Sequence, residues 1–166
     1  MLHGIGKPVR RKEDFRFLTG RGRYVADVEL PGQLHLAVYR SPVAHAKINA
    51  IDIEQAKAAA GVHAVFTAEH LIEGGVKTIR CGWPYNNKDG SPMFEPDHFC
   101  LAYRKVVHFG EPVACVVADS RDLAVDAGEG LVLDYTALPP VPDAEEAVHP
   151  GGPSVWAPAP GSLVGA

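Results

Sequence analysis

At 166 residues the chain is long enough for one globular domain with its own core. Hydrophobic residues at 46% and charged residues at 22% argue against a disordered chain, and the longest apolar run, 113–118, is strand-sized rather than the ~20 residues of a bilayer helix. Cys81, Cys100 and Cys115 form no C-x-x-C pair, which argues against a disulfide framework and against an iron–sulfur or zinc site.

The net charge of -4 is unevenly spread. Residues 1–23 hold seven of the 16 basic residues and two of the 20 acidic ones, leaving nine against 18 in the remainder. Few aromatics interleave with these cations and the rest of the chain repels phosphates, so nucleic-acid binding is not expected. A basic arm lying on an acidic protein surface is. Arg10-Arg11 has the look of a twin-arginine signal, but Glu13 and Asp14 follow where an apolar segment would begin, so a cytoplasmic chain is expected.

The arm, 1–24, is expected to be loop, with Gly20 and Gly22 permitting irregular backbone before an extended stretch at Tyr24-Val25. Across 33–40, Leu34, Leu36 and Val38 alternate with His35, Ala37 and Tyr39, the period of a half-buried strand. Ser41-Pro42 breaks it and alternation resumes over 44–51, so the two runs could pair as a hairpin. Asp52 can cap a short helix over 54–60, with Gln55 returning the bond, and Gly61 stops it. A strand over 62–66 and a helical turn opened by Thr67 complete a strand–helix–strand unit.

Residues 74–99 show no periodicity and read as a long structured loop, either functional or packed on another domain. The run 113–118 fits a strand covered on both faces, with Pro112 at its first position. Cys115 inside it reads as a small buried hydrophobe. Ser120 or Asp119 can cap a helix reaching Glu129 whose stripe is Leu123, Ala124 and Ala127. A strand over 131–135 closes a second unit, a right-handed crossover if its strands are parallel. From Pro139 to Ala166 seven prolines and several glycines predict a linker or extended wrap in which no helix propagates. Trp156 and Leu163 within it suit a surface of a missing partner.

Chemistry is sparse. The chain has no G-x-S-x-G elbow, no H-E-x-x-H and no P-loop. His35 and His45 could face each other across the expected hairpin, and His98 lies near Cys100, but neither pair supplies enough ligands for a metal. Glu111, in Gly110-Glu111-Pro112, stands at the start of a buried strand where desolvation could make it a base, although a hydrogen-bonded glutamate closing the turn is the favoured role. No catalytic, cofactor-binding or metal-binding residue is assigned.

The same segments resemble, in order, the large subunits of the xanthine dehydrogenase, aldehyde oxidase and carbon monoxide dehydrogenase family. Gly4-Ile5-Gly6-Lys7-Pro8-Val9-Arg10-Arg11-Lys12-Glu13-Asp14 and Leu18-Thr19-Gly20-Arg21-Gly22-Arg23-Tyr24-Val25 resemble their amino-terminal arm. Arg40-Ser41-Pro42-Val43-Ala44-His45-Ala46-Lys47-Ile48 resembles their R-S-P-x-A-H-A-x-I segment. Gly61-Val62, Val65-Phe66-Thr67, Gly110-Glu111-Pro112-Val113-Ala114 and the stretch from Tyr135 to Pro139 continue the match. Departures are local: Phe15 where a proline is common, Phe99-Cys100 before Leu101-Ala102, and Gly128 and Gly130 in a helix usually richer in alanine.

The resemblance implies an α+β fold, the α/β hammerhead domain with a mixed sheet and short helices over 25–138. It further implies a 1–24 arm and a 139–166 linker toward a cofactor domain. It implies a non-catalytic scaffold portion of an enzyme that hydroxylates an aldehyde or an N-heterocycle such as a purine, either truncated or encoded separately. Molybdenum–molybdopterin would be bound by the remainder of the large subunit, with 2Fe-2S and FAD on other domains or subunits as partners. Beginning with the arm resembles bacterial enzymes whose iron–sulfur and FAD domains are separate chains. The alternative is a stand-alone interaction or assembly module without activity; a third possibility is a small-molecule binding module using the 74–99 loop.

Overall fold

Six strands and five short helices follow one another in the computed structural model, which describes residues 5–6, 8–149 and 151–156. Gly4, Lys7, Pro150, Pro158, Pro160 and Leu163, used in the sequence reading, lie outside the described residues. Residues 1–33 and 34–166 form two units.

In the first unit the expected loop contains a helix, α1 (Asp14–Leu18). It forms because Asp14 accepts the Arg11 amide hydrogen ahead of it and the Thr19 hydroxyl donates to the Phe15 carbonyl at its end. The expected extended stretch at Tyr24-Val25 is instead a 3-10 turn, Val25–Asp27, held by the Tyr24 amide donating to Asp27 at 2.9 Å. Phe17 stacks on Tyr24 with centroids 5.5 Å apart. A Cβ on Gly22 would stand 2.7 Å from the Phe17 ring, so glycine is what lets the chain pass beneath it.

The second unit contains β1 (His35–Arg40), β2 (Ala46–Asp52), α2 (Glu54–Lys57), β3 (Val62–Thr67), α3 (Ala68–Glu73), β4 (Lys105–Val106), β5 (Pro112–Ala118), α4 (Arg121–Gly128), β6 (Val132–Ala137) and α5 (Ala144–Val148). Two three-stranded sheets result, ordered β1-β5-β3 and β4-β2-β6, and every pairing is antiparallel. The sheets are therefore not mixed. Successive strands alternate between them, so no two consecutive strands pair. That one rule removes the expected hairpin between β1 and β2 and the parallel crossover from β5 to β6. The break at Ser41-Pro42 is no hairpin turn: the Ser41 amide donates to the Glu111 carbonyl at 2.9 Å, and Ser41 is buried.

β5 lies in the centre of its sheet and serves both faces. Ala114, Val116 and Ala118 join Ile53, Ala56, Val65, Ala124, Ala127 and Leu131 in one core, while Val113 joins Ala46, Ala102 and Val106 in another. Cys115 is buried with Ala68 and Leu101. A strand covered on both sides can be apolar throughout, as its sequence is.

α4 begins as expected, the Ser120 hydroxyl oxygen accepting the Leu123 amide hydrogen at 3.2 Å. Ala124 and Ala127 face the core, but Leu123 is 38% exposed and stands outside the expected stripe. It lies over Gly61, whose φ of +74° favours glycine; a Cβ there would stand 2.8 Å from Leu123 Cδ1, a terminal methyl that can shift. Asp52 accepts the Glu54 amide hydrogen at 3.0 Å, but Gln55 returns no bond and α2 is a single turn, shorter than expected. The tail is not free of helix either. Asp143 accepts from the amides of Glu145 and Glu146, capping α5 between Pro142 and Pro150, and Ala147 is buried.

Candidate functional site

The segments singled out in the sequence converge where the two sheets meet. Gly110, with φ +76°, turns the chain into β5 and donates its amide to the Ser41 carbonyl at 3.1 Å. The Arg40 guanidinium donates to the Gly110 carbonyl at 2.9 Å. Glu111, 6% exposed, accepts the Val107 amide hydrogen at 2.6 Å. Its carboxylate closes the turn before β5, the favoured of its two sequence-based roles, and a charge-assisted bond of this kind contributes about 2 kcal/mol.

A cavity of about 180 Å³ opens beside Glu111, lined among others by His98, Phe99, Tyr103, Lys105 and Trp156. It gathers the end of the 74–99 loop, the turn before β5 and the tail. Lys105 is the polar centre. Its ammonium donates to the Val155 carbonyl and stands 4.5 Å from the Trp156 ring centroid. Trp156 therefore lies against a residue of its own chain. Burial holds the Lys105 ammonium below the ordinary lysine value, and the Glu111 charge works against that shift. Phe99 and Tyr103 meet edge to face at 5.2 Å, and the Arg104 guanidinium lies 4.8 Å from the Tyr103 ring centroid. Sequence inspection missed Lys105; only its place in a two-residue strand beside a returning tail gives it this role.

The long loop is ordered by nested bonds: Ile79 to His98, Cys81 to Glu95, Tyr85 with Met93, and Asn87 with Ser91. Asp89 is held below the usual carboxylate range by the Ser91 hydroxyl and amide. His35 and His45 sit in different sheets' strands or approaches and do not face one another: His35 pairs with Ala118, whereas His45 bonds the Pro139 carbonyl at 2.6 Å. Among the described residues no group of three or more His, Cys, Asp or Glu is placed to hold a metal ion. No described helix is long and apolar enough to cross a membrane.

Residues 19–139 match the family described as "Aldehyde oxidase and xanthine dehydrogenase, a/b hammerhead domain". The chain belongs to this family. The large chain of carbon monoxide dehydrogenase from Hydrogenophaga pseudoflava is 38% identical, over 92% of this chain and 18% of that one. The nicotine 6-hydroxylase large subunit of Paenarthrobacter nicotinovorans is 40% identical, over 90% and 17%. Among solved structures, reconstituted CO dehydrogenase from Oligotropha carboxidovorans superposes with a TM-score of 0.71 at 39% identity, covering 90% of this chain and 17% of that one. The chain thus spans under a fifth of each of these three relatives.

Proposed function

We propose that this chain is the non-catalytic scaffold portion of a molybdenum hydroxylase large subunit, an enzyme of oxidative hydroxylation acting on an aldehyde or an N-heterocycle such as a purine. The observation that carries the reading is the hammerhead match over residues 19–139 in a chain that spans 18% of the carbon monoxide dehydrogenase large chain and 17% of the nicotine 6-hydroxylase large subunit it resembles. In this reading 1–24 is an arm, 25–138 the platform and 139–166 the connection toward the cofactor-bearing remainder, and the assembly is cytoplasmic with iron–sulfur and FAD subunits as further partners.

The cluster around Lys105 does not fit a molybdopterin group. A phosphate-bearing pterin calls for unengaged cationic and amide donors. Here the one ammonium is engaged by Val155 and Trp156 beside the buried carboxylate of Glu111. No cofactor role is therefore given to the residues of this cluster.

Coexpression with the remaining portion of a relative's large subunit tests the proposal. A stable complex containing molybdenum and turning over substrate is expected, with neither property in the chain by itself. Stoichiometric molybdenum and turnover in the isolated chain would sink it. The second reading, a stand-alone interaction module, is favoured by the outward face of β1, where Leu34, Leu36 and Val38 are exposed. It predicts a partner retained when every large-subunit remainder fails to bind.

A further inference from the structure

β1 is an end strand: β5 pairs with it on one side, and among the described residues no strand pairs with it on the other. Its neighbours fix the direction of its backbone groups. Just beyond its last residue the Ser41 amide donates to the Glu111 carbonyl, and at the far end of β5 the Asp119 amide turns the other way, donating to the Gly61 carbonyl before β3. Backbone groups alternate sides along a strand, so His35, Ala37 and Tyr39 bond β5, while the amides and carbonyls of Leu36, Val38 and Arg40 point outward. No backbone bond among the described residues uses them. Such an edge is a template for a further strand, and proteins that leave one bare blunt it with lysine, proline or inward charge. β1 has neither lysine nor proline, and Leu36 and Val38 stand exposed beside the open groups.

A groove of about 250 Å³ runs between β1 and α4, bordered by Ala37 and Tyr39 on the strand and by Ala124, Val125, Gly128 and Glu129 on the helix. It is smaller than the sites that take drug-sized ligands and suits the side chains of an extended segment. Arg40 also borders it, but its guanidinium is held by the Gly110 carbonyl. Glu129 caps α4, Asp126 stands a turn before it, and the last turn holds no basic residue, so this end of the helix attracts a cation. We propose that an extended segment of the large-subunit remainder adds to this edge as the next strand of the sheet. Its backbone bonds Leu36, Val38 and Arg40, alternate apolar side chains enter the groove, and a lysine or arginine meets Glu129. This occupant rests on the function proposed above, in which most of the large subunit lies outside a chain that spans 18% and 17% of two such relatives.

The test is hydrogen exchange resolved to single amides, on the chain alone and on its complex with a coexpressed large-subunit remainder. Alone, Ala37 and Tyr39 are protected and Leu36 and Val38 are not; in the complex the Leu36 and Val38 amides exchange at least about a hundredfold more slowly. Glu129→Lys weakens the complex about tenfold and leaves the chain's own unfolding midpoint near that of wild type, because this side chain is exposed. Val38→Pro removes one outward amide and spares those that bond β5, a place where an edge strand tolerates proline, and weakens the complex as well. Should that variant fail to fold, Glu129→Lys and the exchange pattern decide. An active, molybdenum-containing complex in which Leu36 and Val38 still exchange freely overturns the proposal and leaves the scaffold reading standing. Protection that arises in the chain alone and grows with its concentration, with a dimer in sedimentation, makes a second copy the occupant and overturns it too. If no remainder binds, both the proposal and the scaffold reading fall.

Discussion

Glu111 and Lys105 show how much can hang on single side chains in a domain of small residues. Replacing Glu111 by alanine leaves the half-buried Val107 amide without its acceptor and is expected to cost about 2 kcal/mol in urea unfolding. Lys105 has a pH signature of its own. Its folded value lies below the ordinary 10.5, so between the two values the unfolded chain binds more protons than the folded one. Stability from this group therefore rises with pH across that window, and its desolvation cost is fully present below it. Lys105→Met should flatten the rise when wild type and variant are unfolded side by side at increasing pH. Cys115 offers a third check. Burial pushes its thiol up, Cys100 adds to the shift, and a backbone hydrogen bond at Phe66 opposes it. Iodoacetamide at neutral pH should label exposed Cys81 at least about tenfold faster than Cys115, read by peptide mass spectrometry.

At the level of elements, caps and turns set the boundaries. Ser120→Ala removes the acceptor for the Leu123 amide and should lower stability by about 1 kcal/mol. Gly61→Ala should cost about 1–2 kcal/mol, because a left-handed backbone opposes a Cβ. Thermal unfolding measures both. The run 113–118 was legible as a strand covered on both faces, and the period of 33–40 as a strand, but the faces of that strand are inverted: Leu36 and Val38 are exposed while Ala37 and Tyr39 pack against the core. Pairing was not, since alternation says which way a side chain points and nothing about its neighbour. Ser41-Pro42 reads as a turn in either case; that its serine is buried against Glu111 depends on a segment seventy positions away. α5 was hidden by its flanking prolines, although five residues capped by Asp143 fit between them. Of the candidate sites, Glu111 could be read from its place before a buried strand. Lys105 could not, because its partners depend on where the tail returns.

For the molecule as a whole, alternation of strands between the sheets makes β5 common to separate clusters of core residues. Val113→Ala and Val116→Ala each remove fully buried methyl groups from a different cluster, and each should cost about 2 kcal/mol. Because one strand carries both, the two variants should shift a single urea transition, seen identically by fluorescence and circular dichroism; a second transition in either variant would show that the clusters unfold independently.

The return of the tail onto Lys105 also sets how the domain would bear tension. Pulled from residue 156, the chain first loads the clasp formed by the Lys105 ammonium, the Val155 carbonyl and the Trp156 ring, not the long β2–β6 ladder. Once that clasp slips, the pull passes to α5, with its buried Ala147, before it reaches β6, so detachment of the tail precedes any loss of strand pairing.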